Sequence, residues 1–189
     1  PIYSSSSFNL NLELFKSNGE KIFTKKNFFK SKKNSLKFIN INDQLKKINL
    51  MKFKENYFLG KISIDSKTAI PSRLKFGLNI ISKNKLKAVS SNIWFNAQAA
   101  FKSKLERKTR FCWTPIVNKN NSKFIIYNSS FVKKGFKKAS ILMNFWREKD
   151  DKNISKKMVL NDNGSYLFDL SKNNKIKKFL NSKSGWVTF

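Results

Sequence analysis

FNLNLELF (8–15) alternates without a break, with Phe8, Leu10, Leu12 and Leu14 on one side and Asn9, Asn11 and Glu13 on the other. A period of two belongs to a β-strand with one face in a core and the other in water. The chain writes the pattern again in ASILMNFW (139–146), where Ile141, Met143 and Phe145 share a face and Trp146 falls on the opposite one. The two stretches align with a shift of 131 positions, which lays Leu14-Phe15 over Phe145-Trp146.

The same shift lays Phe23-Thr24-Lys25-Lys26 over Ile154-Ser155-Lys156-Lys157, and Phe28-Phe29 over Val159-Leu160. From Ser35 the shift becomes 130 and matches Ser35-Leu36-Lys37-Phe38 to Ser165-Tyr166-Leu167-Phe168. The lost residue falls between KSKKN and NDNG, polar tracts where a turn absorbs a change of length. Further on, QLKKINL resembles KIKKFLN, and YFLGKISI resembles SKSGWVTF around Gly60 and Gly185. A slip of one residue would turn every buried side chain out to solvent, so alternation kept in register argues for an internal duplication. PIYSSSSF (1–8) and FIIYNSSF (124–131) are then the lead-in to the same strand in both copies.

Strand-like runs recur over about 20–29, 35–41, 57–65, 73–82 and 86–95. Asn163-Gly164 between apolar runs predicts a hairpin with a type I′ turn, and Ser17-Asn18-Gly19 marks another turn. The expected fold is all-β: two tandem antiparallel β-sandwich units of Ig-like type, related by duplication, the second truncated, with one short helix in the connection. The first unit covers 1–95, a connector 96–122, and the second unit 123–189. The helix is expected in NAQAAFKSKLERK (96–108), where Ala97, Phe101 and Leu105 lie four apart, and a strand in FCWTPIV ends near Pro115. The second copy stops at the place of Ile64 in the first, and the chain carries neither an initiator Met nor a leader, so it reads as part of a larger protein.

At 189 residues, 40% hydrophobic and 14% aromatic, the chain can build a real core. Forty Lys and Arg against eleven Asp and Glu give a formal charge of +29, which points to an anionic polymer as partner. Only Arg73, Arg107, Arg110 and Arg147 are arginines, and Lys supplies charge without the guanidinium fork that reads phosphate geometry. Abundant Lys, Asn, Ile and Phe are also what an AT-rich genome encodes. With no His and a single Cys, Cys112, there is no Ser-His-Asp or Cys-His catalysis and no intrachain disulfide.

FKSKLERKTRFCW interleaves cations with rings, and the candidate anion-binding residues are Lys102, Lys104, Arg107, Lys108, Arg110 and Trp113. Trp94, Trp113, Trp146 and Trp186 read either as core or as sugar-stacking platforms on a sandwich face. Glu148, Asp150, Asp151 and Asp162 lack the spacing of a calcium loop, so no metal or cofactor is expected, and no acid–base pair or phosphate loop points to an enzyme. No apolar run is long enough to span a bilayer.

The function expected is that of a non-catalytic β-sandwich repeat module for adhesion, assembly or electrostatic recognition of an acidic glycan or similar polymer. Two other readings stand beside it: a Lys-rich scaffold of a ribonucleoprotein particle that contacts nucleic acid, and an accessory domain of an enzyme whose catalytic part lies elsewhere in the polypeptide. Composition does not assign a compartment.

Overall fold

The computed structural model describes residues 2–4, 7–32, 35–37, 39–46, 48–54, 57–65, 75–80, 91–96, 112–117, 122–128, 138–148, 150, 152–181 and 183–189. Strands dominate, in antiparallel sheets, with few helices. Two compact units divide the chain. One comprises Pro1–Leu14, Lys21–Asn56 and Gly60–Ala100, and the other Phe15–Glu20, Tyr57–Leu59 and Phe101–Phe189.

The first unit holds β1 (Ile2–Ser4), β2 (Phe8–Phe15), β3 (Lys21–Ser31), β4 (Ser35–Lys37), a short helix α1 (Ile41–Leu45), β5 (Leu59–Asp65), β6 (Lys75–Ile80) and β7 (Ser91–Asn96). β2 lies between β3 and β5 in a three-stranded sheet, and a second sheet runs β4-β1-β6-β7. Phe8, Leu10, Leu12 and Leu14 are all buried, as the alternation of β2 requires. Phe8 and Leu10 pack with Phe28, Phe29, Ile39 and Ile64. On the polar side, Asn11 Oδ1 accepts from the Asn27 N–H at 2.8 Å, and Lys21 Nζ lies 2.9 Å from Glu13.

The second unit is a two-layer β-structure. It holds β8 (Trp113–Ile116), β9 (Lys123–Tyr127), β10 (Lys138–Arg147), β11 (Asn153–Asn161), β12 (Ser165–Asp169), a helix α2 (Asn174–Leu180) and β13 (Gly185–Thr188). One layer is the antiparallel sheet β11-β10-β13-β8, and the other is the pair β12-β9. Met143, Phe145, Leu160, Val187 and Ile116 from the first layer meet Phe168 and Ile126 from the second. Phe168 sits at the centre, with ring centroids 4.6 Å from Phe124 and 5.2 Å from Phe145, distances at which aromatic pairs attract beyond their area burial.

The connectivity of the two units can be compared strand by strand. In the first, β2 lies between β3 and β5, and β4 pairs with β1. In the second, β10 lies between β11 and β13, and β12 pairs with β9. Ser35 opens β4 opposite Ser4, and Ser165 opens β12 opposite Tyr127.

Two expectations are corrected. Asn163-Gly164 does not close a hairpin, because β11 and β12 belong to different sheets and the chain changes layer there. The turn is not type I′ either: Asn163 has φ 54 while Gly164 is not left-handed, and the Gly164 N–H donates to Asn161 O at 2.9 Å. That places positive φ at the third turn residue, as in type II. Glycine is needed at 164 for room, since a Cβ would lie 2.9 Å from Asn161 O. By contrast, Gly19 (φ 89) ends a three-residue loop of the kind that joins neighbouring strands, its N–H donating to Lys16 O at 3.0 Å.

Second, helices occur where none was expected. α2 links β12 to β13, a crossover that an all-strand Ig-like plan does not contain. Ile176 and Leu180, one turn apart, are buried while the lysines between them face water. Asn181 ends the helix in the left-handed conformation (φ 46, ψ 57), its N–H donating to Lys177 O, and Lys177 and Lys178 oppose the negative end of the helix dipole. The strand expected in FCWTPIV to end near Pro115 is present as β8 and ends at Ile116. Pro115 is tolerated because β8 is an edge strand among the described residues. The helix expected over 96–108 lies, apart from Asn96 in β7, outside the described residues.

Asp169 holds the exit from β12. Its residue is 7% exposed, it accepts from the Ser171 N–H at 3.0 Å, and Lys123 Nζ lies 3.0 Å away. The Ser171 side chain first, and Lys123 after it, hold the Asp169 carboxyl below its ordinary 3.8. A depressed folded-state pKa stabilises the fold above the ordinary value and loses that contribution as pH falls through the folded one. Stability measured by urea unfolding is therefore expected to be level, as far as Asp169 is concerned, from neutral pH to about pH 4 and to decline below it. Asp169→Asn should lower stability at neutral pH and flatten that acid decline. An unchanged acid decline would contradict the assignment.

Candidate functional site

The sheet β11-β10-β13-β8 has a core side and an outer side, and the register fixes what the outer side carries. Met143, Phe145, Val187 and Ile116 point into the core, so the residues between them point out. One outer row crosses all four strands as Asn153, Trp146, Trp186 and Pro115, each the register partner of the next. The adjacent row is Ser155, Asn144, Thr188 and Trp113. Beyond it on β11 and β10 come Lys157 opposite Leu142, then Val159 opposite Ser140. Neighbouring strands stand about 4.8 Å apart and alternate residues of one strand about 6.7 Å apart, so three indoles and a proline ring share one end of the face.

Trp113 is 66% exposed, Val159 60% and Leu142 44%, and Trp146 and Trp186 are half-buried against each other's strands. The Trp146 Nε1–H donates to Thr188 Oγ1 at 3.1 Å, which fixes that indole on the face. Ser155 Oγ donates to Asn144 Oδ1 at 2.7 Å and orients that amide. Gly185 allows the tryptophans to pair: it faces Arg147 across the β10–β13 ladder, and a Cβ there would lie 2.0 Å from Trp146 O.

The end of the face is braced from the side. The Arg147 guanidinium donates to Phe179 O at 3.2 Å, lies 5.2 Å from the Phe179 ring centroid, and is paired with Asp150. The hydrogen bond from Arg147 holds the Asp150 carboxyl below its ordinary value, and Arg147 is held above its own.

Of the sequence candidates, Trp113 is on this face, at the start of β8. Lys102, Lys104, Arg107, Lys108 and Arg110 lie outside the described residues. Trp146 was legible as an outward residue from the alternation of β10, whereas Trp186, named with the other tryptophans as either core or platform, was not given a direction. Its signal was the alternation Gly185-Trp186-Val187-Thr188, which sends Trp186 away from buried Val187. Among the described residues, no cluster of three or more Cys, Asp or Glu could hold a metal, and no helix is long and apolar enough to cross a membrane. No protein-family model, no curated protein and no solved structure matches the chain.

Proposed function

We propose that the chain is a non-catalytic binding module that takes an acidic polysaccharide on the tryptophan face of its second unit. The observation that carries this reading is the placement of Trp113, Trp146 and Trp186 on the outer side of one sheet whose inner side is the core. Burying indoles is strongly favourable, and a fold that keeps Trp113, Trp146 and Trp186 outside the core has another use for them. The charge of +29 draws a polyanion to the surface from a distance, and the rings hold it in place.

The tandem organisation belongs to the same proposal. We infer that one ancestral segment was doubled, and its support is the shared order strand, strand, strand, helix, strand, with the first of these strands central among the hydrogen-bonded neighbours it shares with the second and the last in both copies. The repeated unit is then a β-sandwich with a helical crossover, in place of the Ig-like plan. The copies have diverged in use, because the positions aligned with Trp146 and Trp186 are Phe15 and Lys61.

Chromatography on an immobilised acidic glycan tests the reading. The full chain is expected to bind at low salt, where charges act over about 30 Å, and to elute as that distance shrinks to about 10 Å near 0.1 M. Trp113→Ala and Trp186→Ala should elute earlier. Retention no stronger at low salt than at high, or unaltered in both variants, would overturn it. Nuclease-resistant RNA co-purifying with the chain and covering the tryptophans would instead favour the ribonucleoprotein reading.

A further inference from the structure

We infer that the polymer recognised by the tryptophan face is a pyranose chain read through its hydroxyl groups, with scattered carboxylates, and that a nucleic acid strand does not fit the same face; this rests on the binding role proposed above. The inference comes from what stands beside the rings. The row next to Trp146 and Trp186 is Ser155, Asn144 and Thr188, and Asn153 ends the tryptophan row itself. These are neutral groups that both donate and accept hydrogen bonds, as sugar hydroxyls do. Ser155 occupies Asn144 Oδ1 and leaves the Asn144 NH2 to donate outward. Thr188 Oγ1 accepts from Trp146 and keeps its own O–H to donate.

A single-stranded nucleic acid asks for something else. Its stacked bases need cations on the track its phosphates follow, beside the rings. On this face the described cations are Lys157 and Lys138, and neither lies in the tryptophan row or the row beside it. Lys157 is two residues along β11 from Ser155, about 6.7 Å farther out, and Lys138 lies at the far end of β10. That spacing suits an occasional carboxylate on a chain whose main contacts are stacking and hydroxyl hydrogen bonds. The rings and the neutral groups lie in two adjacent rows that cross the four strands, which suits an extended chain lying across them.

The test is a set of titrations on the full chain, followed by tryptophan fluorescence and by affinity electrophoresis, with three probes: polygalacturonate, the neutral glucan dextran, and poly(U). Polygalacturonate is expected to change the fluorescence, and Trp113→Ala and Asn144→Ala should each weaken its binding by about tenfold. Trp113 is exposed at a strand end, so its truncation leaves the core intact, and unchanged far-UV circular dichroism verifies this for both variants. Poly(U), held by the overall charge, should bind with the same affinity to both variants and vanish in high salt sooner than polygalacturonate does.

The inference is overturned if poly(U) binding falls tenfold in Trp113→Ala while polygalacturonate binding does not, which would leave the face a binding site of another class. It is also overturned, together with the proposed function, if no probe alters the fluorescence and no variant alters any affinity. Concentration-dependent dimerisation abolished by Trp113→Ala would equally overturn both, since the face would then be occupied by a second copy of this chain.

Discussion

Replacing Phe145 with alanine is expected to lower the stability of the second unit by about 3–5 kcal/mol. Phe145 is fully buried on the inner side of β10, 5.2 Å from the Phe168 ring centroid, and its neighbours in register on the same sheet face are Ile154 and Val187. The void would open between two layers, where the Phe168 ring of β12 now rests on Phe145 and would lose that support. Urea unfolding followed by circular dichroism measures the loss. A cost under about 1 kcal/mol would mean that the two layers do not pack as described. Trp113→Ala, exposed at the start of β8, should cost little on the same scale and serves as the comparison.

Gly185→Ala is expected to have the second large effect, about 3 kcal/mol at the upper end of the range for overpacking, together with loss of glycan binding. The new Cβ would stand 2.0 Å from Trp146 O and 3.1 Å from Leu180 Cδ2. A backbone carbonyl within the ladder cannot step aside, so β13 must part from β10, and the Trp146–Trp186 pair loses its register. Gly60 aligns with Gly185 and supplies an internal control. A Cβ at Gly60 would meet only Leu14 Cδ2 at 3.7 Å, an ordinary contact. Gly60→Ala should therefore change stability by less than about 1 kcal/mol. Denaturation midpoints of the two variants measured side by side decide the matter, and equal midpoints would contradict the strand pairing.

Much of this was legible in the sequence because a strand half in a core announces itself by alternation. Leu10, Leu12, Met143 and Phe145 fall where the period of two puts them, and the five strand runs expected over residues 20–95 all overlap β3 to β7. α2 escaped because KIKKFLN reads as one more lysine-rich tract, and its signature rests on a single pair, Ile176 and Leu180, at the spacing of one helical turn. Asn163-Gly164 misled because glycine serves two purposes. The hairpin rule assumes conformational freedom, whereas here Gly164 is required by the closeness of Asn161 O.

The site was legible only in pieces. Alternation within β10 gave the direction of Trp146, but no reading of one strand could bring Trp186 beside it, because that needs the β10–β13 register. Trp113 joins them through β13 and β8, over a sequence separation of more than seventy residues. The cationic stretch that drew attention to Trp113, from Lys102 to Arg110, falls outside the described residues. What remains is a face defined by its rings and its neutral hydrogen-bonding row, a pattern that composition dominated by lysine obscures.

The most direct measurement is two-dimensional NMR of the indole N–H signals of the full chain, assigned by single Trp→Phe variants, during titration with polygalacturonate. The signals of Trp113, Trp146 and Trp186 should move together and saturate at one ligand concentration. If all three hold still while the polymer binds, the tryptophan face is not where this protein meets its ligand.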